Sequence, residues 1–354
     1  MKKVFYKAET QNFTNALKFW DHVIRNNEAF HFHLYDEEFS AQDWKTEPSE
    51  TFNELCIQRA KMIRDKYDHV RLWYSAGRDS HHILKTFVEN NIRIDELLIM
   101  DWSIMPRFAT DATIAYETAI KTYNEAGVMI PIISILKPGK DEFNAYFQKD
   151  WFLKYGGYGC NYNFNLNHYP SIVEALPDLA LRKNHCEVFG FEKCKVHLDE
   201  NGKFFYMMND KNFNQGLGNQ DNLEWFYLSG DLPKLAIKQC HLLINYAEDK
   251  NLSSDYFSSM QETQMMYDEF AQVMARGSSI SHQTGGGVNK TFGLHSDRYT
   301  EIFTLATNES WKSLEHYRDF VYHLGQLSNL KDNKFFEYDT FSFAGVTTKK
   351  YYLT

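Results

Sequence analysis

The chain has 354 residues, 24% of them charged and 43% hydrophobic, with a formal net charge of −9 at pH 7. That composition excludes an intrinsically disordered chain, and the length suits one large domain or two of ordinary size. The acidic balance argues against broad, nonspecific duplex binding, which needs a basic face, although it leaves room for one local basic groove.

Residues 1–50 are mixed and read as an N-terminal extension. Val4-Phe5-Tyr6 reads as a strand, Phe13 to Ile24 as a helix and His31-Phe32-His33 as another strand. Met1-Lys2-Lys3 opens no signal-type apolar run, and no stretch approaches the ~20 apolar residues of a membrane span. A cytoplasmic chain without membrane contact is the expectation. Thr51 to Lys66 reads as a helix, with Thr51 and Glu54 at the spacing of a capping box. Phe52, Leu55, Cys56, Arg59 and Ile63 fall on one face of it.

The most informative stretch is Val70 to Leu84. Val70, Leu72 and Trp73 form a short β-favouring run. Gly77 permits torsions that a residue with Cβ resists. Asp79 or Ser80 is expected to cap a helix running from Ser80 to Glu89, which buries Ile83, Leu84 and Phe87. A loop at a helix N-terminus presents free N–H groups and the positive end of a dipole, so it suits a phosphate chain.

Leu97 to Met100 reads as a buried parallel strand ending at Asp101-Trp102. A helix is expected over 111–126, and a third strand from Met129 to Leu136, closed by Pro138-Gly139. This alternation implies right-handed crossovers and an α/β fold, a parallel sheet with flanking helices. Ligands in such sheets sit at the carboxyl ends of the strands. Ser75–Ser80, Asp101 and the segment after Leu136 therefore belong to one edge.

Tyr155 to Tyr169, rich in Gly, Asn and Tyr, reads as a long loop suited to stacking on or hydrogen-bonding a substrate, or to capping the sheet. His185 to Lys193 is an apolar strand running into Gly190, then Glu192 and Lys193. Val196 to Tyr206 reads as a hairpin with an Asn201-Gly202 turn. Beyond 210 the composition turns helical, with helices expected over Leu232–Ala247, Tyr256–Met274 and Trp311–Leu324. Thr284 to Lys290 is a glycine-rich linker or phosphate-facing loop, and Phe335 to Leu353 is expected to add strands to an edge. The organisation that follows is 1–50, an α/β unit over 51–210, and a mostly helical accessory region over 211–354. Five scattered cysteines without a C-x-x-C are expected to be reduced and mostly buried.

Ser75-Ala76-Gly77-Arg78-Asp79-Ser80 resembles the S-G-G-x-D-S loop of the PP-loop ATP pyrophosphatases, the adenine nucleotide α-hydrolase-like superfamily. Ala76 stands where glycine is usual, which is tolerable if its φ is negative. No Gly-Lys-Ser/Thr follows, so this is not a Walker loop. The resemblance covers about 70–200 and lies nearest to stand-alone asparagine synthase-like proteins, phage-encoded ones included. It implies Mg²⁺-dependent cleavage of ATP between the α and β phosphates. An adenylate and pyrophosphate form, and a nitrogen or sulfur nucleophile then displaces AMP.

On that resemblance Ser75, Ala76, Gly77, Arg78, Asp79, Ser80, Met100, Asp101 and Gly190 bind the nucleotide. Asp79 and Glu192 are the metal ligands, with Asp101 a further candidate, and Asp79 and Lys193 are the catalytic residues. Gly190 and Glu192 stand for a reduced version of the family's acidic, Gly-rich turn. Lys2 follows Met1 and fifty residues cannot hold a glutaminase, so that domain is expected to be absent. Nitrogen would then come from free ammonia, an amine or a partner protein. The acceptor, small or macromolecular, is unspecified. The competing readings are a sulfur transferase, a nucleic-acid base or tRNA modifier that the acidic charge does not favour, and a non-catalytic nucleotide-binding module. Phe292-Gly293-Leu294-His295 echoes a reductase motif but has Phe where that motif has its catalytic Cys.

Overall fold

The computed structural model describes residues 4–101, 103, 110–137, 153, 184–190, 193–208, 222–249, 316, 319–320, 322–324, 326–327, 336–337, 342–343 and 346–354. The chain opens with β1 (Val4–Ala8), β2 (Asn12–Phe13), α1 (Ala16–Asn26) and β3 (Phe30–Leu34). The three strands form an antiparallel sheet in the order β2-β1-β3. The first helix starts later than its apolar spacing suggests. Asn15 is extended and its side chain accepts from Lys18 N at 3.0 Å, which makes it the N-cap. Phe13 is thereby left to pair with Tyr6 in the sheet. Leu17, Phe19, Trp20, Val23 and Ile24 are buried on the face that α1 turns to the core.

A short helix, α2 (Asp36–Ser40), leads to α3 (Phe52–Lys66). Both bonds of the expected capping box form: Glu54 N donates to Thr51 Oγ1 at 3.2 Å and Thr51 N to Glu54 Oε2 at 2.8 Å. Then follow β4 (His69–Trp73), α4 (Arg78–Glu89), β5 (Glu96–Met100), α5 (Asp111–Ala126), β6 (Ile132–Leu136), β7 (His185–Phe189), β8 (Val196–Leu198), β9 (Phe204–Tyr206), β10 (Leu223–Trp225) and α6 (Pro233–Asp249). Strands β11 (Phe336–Glu337), β12 (Ser342–Phe343) and β13 (Tyr351–Tyr352) complete the described elements.

Five strands form a wholly parallel sheet in the order β10-β7-β4-β5-β6. Helices α3 and α4 pack on β4, α5 on β5, and α6 on α3. The chain therefore builds outward from β4 through β5 to β6, then returns to lay β7 on the other side of β4. The edge strand β6 begins at Ile132 rather than Met129. Its ladder starts where its partner does, with Ile132 opposite Glu96, and leaves Met129 86% exposed. β10 comes from beyond residue 210, so the sheet draws on both stretches that composition separates.

A polar belt crosses the middle of this sheet. Arg71, fully buried, lies between Glu96 and Glu187 because the register sets it opposite both. Its guanidinium meets Glu96 Oε2 at 3.0 Å and Glu187 Oε1 at 2.7 Å. Trp73 Nε1 donates to Glu187 at 2.6 Å, and Ser134 Oγ to Glu96 at 2.5 Å. Burial opposes both charges. Ser134, Arg71 and His69 nevertheless hold the Glu96 carboxyl below the usual range. Burial wins at Glu187 and pushes it up to about 7 despite Arg71. A second buried cluster ties α3 to β10: Glu224 accepts from Arg59 at 2.6 Å, Lys66 at 2.7 Å and the Tyr67 hydroxyl at 2.6 Å.

The hairpin β8–β9 turns at Asp199–Gly202, where Gly202 N donates to Asp199 O and Gly202 has φ +74°. Only the glycine of the expected Asn201-Gly202 pair is left-handed, so the turn ends in a glycine bulge. Residues 346–354 run between this hairpin and the N-terminal sheet. Phe32 N donates to Thr347 O, Thr348 N to Met208 O and Leu353 N to Phe204 O. Tyr351 and Tyr206 both stack on Trp44, with centroids 4.9 Å away in each case.

Among the described residues no helix is long and apolar enough to cross a membrane. Cys56, Cys186, Cys194 and Cys240 are free and buried. Tyr155–Tyr169, Tyr256–Met274, Thr284–Lys290, Phe292–His295, Glu192 and Cys160 lie outside the described residues. Within Trp311–Leu324, positions 316, 319–320 and 322–324 are helical.

Candidate functional site

The Ser75–Ser80 loop joins the carboxyl end of β4 to α4. Tyr74 N carries the ladder one step further by donating to Leu98 O at 2.8 Å. The chain then reverses at Ala76, which is left-handed with φ +53°. The negative φ expected there is overturned. Gly77, expected to need unusual torsions, has φ −66° and ψ 157° and is the N-cap of α4. The glycine-like torsion thus falls on the one loop residue that departs from the S-G-G-x-D-S pattern.

Two serines close the loop on itself. Ser75 N donates to Ser80 Oγ at 3.2 Å, Ser80 Oγ to Gly77 O at 3.2 Å, and Gly77 N to Ser75 Oγ at 3.3 Å. Asp79 and Ser80, expected as caps, lie instead inside the first helical turn. The helix starts two residues earlier than Ser80 because Gly77 O already accepts from His81 N at 2.9 Å. The N-cap Gly77 supplies no side-chain cap, and among the described residues none is seen at the start of α4. Its opening N–H groups, from Arg78, Asp79 and Ser80, therefore have no intrahelical partner.

β7 ends beside this turn, and Gly190 follows it directly. A Cβ there would lie 3.2 Å from both Asp79 C and Ser80 N and 3.0 Å from Ile83 Cδ1. Only a residue without a side chain lets the two segments approach this closely. Three residues on, Lys193 Nζ reaches Asp79 Oδ1 at 2.5 Å. Lys193 is largely buried and Asp79 half-buried. Tyr227, which follows β10, donates from its hydroxyl to Asp79 O at 3.2 Å. The same hydroxyl lies 2.7 Å from His82 Nδ1, and the ring centroid is 5.4 Å from Lys193 Nζ.

On the neighbouring strand, Met100 closes β5 and is partly buried against the core. Asp101 N donates to Leu136 O at 2.7 Å. Burial works against the Asp101 carboxylate, but Ser103 N, 2.8 Å away, and Lys137, 3.6 Å away, hold it below the usual range. The structure so gathers Ser75, Ala76, Gly77, the backbone of Arg78, Asp79, Ser80, Gly190 and Lys193 around one turn. Met100 and Asp101 stand on the same sheet edge. Among the described residues no cluster of three or more His, Cys, Asp or Glu side chains could hold a metal ion by itself. An open groove of about 460 Å³ runs along α5 past Tyr116, Ile120 and Asn124, and no loop residue lines it.

The sheet order explains why the turn is accessible. Connections leave β4 and β7 in opposite directions, so the crevice between their carboxyl ends is the topological switch point, where open α/β sheets bind ligands. The loop borders one side of it and Gly190 and Lys193 the other. Sequence reasoning missed Tyr227 and His82. His82 adjoins the loop, but Tyr227 lies 145 positions away within an apolar run, with no motif to mark it. No protein-family model and no curated protein matches the chain.

Proposed function

We propose that this chain is an AMP-forming, ATP-dependent ligase or synthetase with an adenine nucleotide α-hydrolase-like fold and a cytoplasmic setting. The observation that carries the reading is the self-closed Ser75–Ser80 loop feeding an uncapped helix at the switch point, with Lys193 beside it. The first-turn N–H groups of α4 and the Lys193 ammonium are donors for a leaving pyrophosphate. Asp79 orients Lys193, and Met100 and Asp101 belong to the nucleotide's side of the same edge.

An acceptor oxygen bonds to the α-phosphorus as the bridging bond to the β-phosphate breaks, and that electron pair leaves with pyrophosphate. A nitrogen nucleophile then bonds to the activated centre, and AMP departs with the acceptor's oxygen. Magnesium usually takes one or two protein carboxylates and completes its shell with substrate phosphates and water. The Asp79 carboxylate fits that donor set, with Glu192 the second ligand suggested by the loop's resemblance. When bound, the ion would neutralise phosphate charge.

The described cysteines do not favour sulfur transfer. All four are buried, and burial pushes the thiols of Cys56, Cys186 and Cys240 up. The test is product separation from α-labelled ATP incubated with Mg²⁺ and pools of carboxylates, nucleosides and tRNA, with ammonia supplied. AMP and pyrophosphate appearing only with an acceptor is the expected result. ADP as the main product overturns the mechanism. ATP binding without cleavage under any pool would favour the non-catalytic module.

A further inference from the structure

We infer that Tyr227 is the positioning residue that sets the first turn of α4 against its cation; the inference rests on the nucleotide reading above. Tyr227 touches both halves of the turn at once. Its hydroxyl has a single proton, which goes to the Asp79 carbonyl 3.2 Å away. The 2.7 Å contact to His82 then requires that His82 carry its proton on Nδ1 and donate to the phenol oxygen. The chain His82 to Tyr227 to Asp79 is thus polarised in one direction, and it begins and ends on α4.

The ring does separate work. Lys193 Nζ sits 5.4 Å from its centroid, within the range at which an aromatic face attracts an ammonium. The same side chain therefore holds the backbone of Asp79 and supports the partner of the Asp79 carboxylate. Its anchorage is firm. Tyr227 is 2% exposed, its ring lies parallel to those of Phe52 and His82, and its own carbonyl accepts from Gln239 Nε2 at 2.7 Å. Burial drives its phenol pKa well above the usual value, so it stays a neutral donor.

Gly190 brings β7 close to the same turn, where a Cβ would lie 3.2 Å from Asp79 C and Ser80 N. β7 lies between β10 and β4 in the sheet. The phenol, just after β10, reaches α4, the helix that follows β4 on the far side of β7. Any buried tyrosine hydroxyl needs a partner; here both partners belong to the phosphate turn or its helix, and the cation over the ring is paired with Asp79 of that turn.

The experiment is calorimetric titration of the full chain with ATP and, separately, with AMP, both with excess MgCl₂. Tyr227→Phe keeps the ring and removes both hydrogen bonds. Its preference for ATP over AMP is expected to fall about tenfold, near 1.4 kcal/mol, because the phosphates beyond the first meet the turn. Equal weakening of both ligands, or no change in either, overturns the inference. A wild-type chain that binds neither nucleotide overturns the reading beneath it instead. Should Tyr227→Phe fail to fold, His82→Leu gives the second arm. It leaves the phenol in place but removes the donor that orients it, and a threefold loss of the same preference is expected. An unchanged preference there overturns the inference.

Discussion

Gly190→Ala isolates the close approach of β7 to the phosphate turn. The added Cβ would sit 3.2 Å from Asp79 C and Ser80 N, against about 3.5–4.0 Å for a relaxed carbon contact. Two of its three neighbours are backbone atoms of a helical turn, so no rotamer change relieves them. The first turn must move away from the sheet by a few tenths of an ångström. Overpacking of this kind costs about 1–3 kcal/mol. In a chain of this length that corresponds to a melting-temperature drop of roughly 1–4 °C. The matched control is Gly127→Ala, at the end of α5. Nothing lies within 4 Å of a Cβ there, and φ is +67°, so its cost is conformational alone. That cost is also about 1–2 kcal/mol. Thermal melts should show similar losses for the two variants, while ATP titration separates them. Gly190→Ala should lose tenfold or more in ATP affinity and Gly127→Ala should lose nothing. Wild-type melting and wild-type ATP affinity in Gly190→Ala would refute the reasoning, since the contact would then yield without consequence.

At Ala76 the left-handed torsion costs about 1–2 kcal/mol, while glycine gives up about 0.5–1 kcal/mol of chain entropy and a buried methyl. Ala76→Gly should therefore melt within about 1 kcal/mol of wild type, whereas Ala76→Val, β-branched, should lose both stability and ATP binding in the same two assays. Glu187 titrates near 7 when folded, above its ordinary value of 4.5, so the folded state binds the extra proton between those limits. Its contribution to stability is full below pH 4.5 and lost as pH rises through 7; Glu187→Gln should flatten the decline in melting temperature across that window, and an unaltered slope would show that another group sets it. Asp79→Ala removes a half-exposed carboxylate from a surface turn and should abolish ATP turnover while keeping a cooperative melt; near-normal turnover would dismiss the loop assignment.

The elements legible in the sequence were those whose signals are local. Thr51 and Glu54 announce α3 because a capping box involves residues three apart, and the strand–turn–helix of 70–89 is read from composition. Parallel pairing followed from alternation. Signals that depend on distant partners were not legible. Phe13 suits a helix face and a strand equally, and only Asn15 and the Tyr6 pairing decide between them. Arg71, Glu96 and Glu187 are single charges in apolar strands, and nothing in the chain says that one register brings them together. The torsion at Ala76 is set by where β4 and α4 are both held, which a six-residue motif does not contain. For the same reason the left-handed torsion that suits a glycine falls on Ala76 and not on Gly77.

The seam formed by residues 346–354 has a consequence for synthesis. Met208 and Phe204 wait for bonding partners 140 and 150 positions later in the chain. At about 5–20 residues per second that interval is roughly 7–30 s. Throughout it β9 has an open edge beside Phe205, and Trp44 lacks one of its two stacking partners. An unpaired strand edge next to exposed aromatic rings is a template for pairing with another nascent chain. Yield on expression should accordingly respond to elongation rate and to holdase chaperones, more than to the equilibrium stability of the finished molecule.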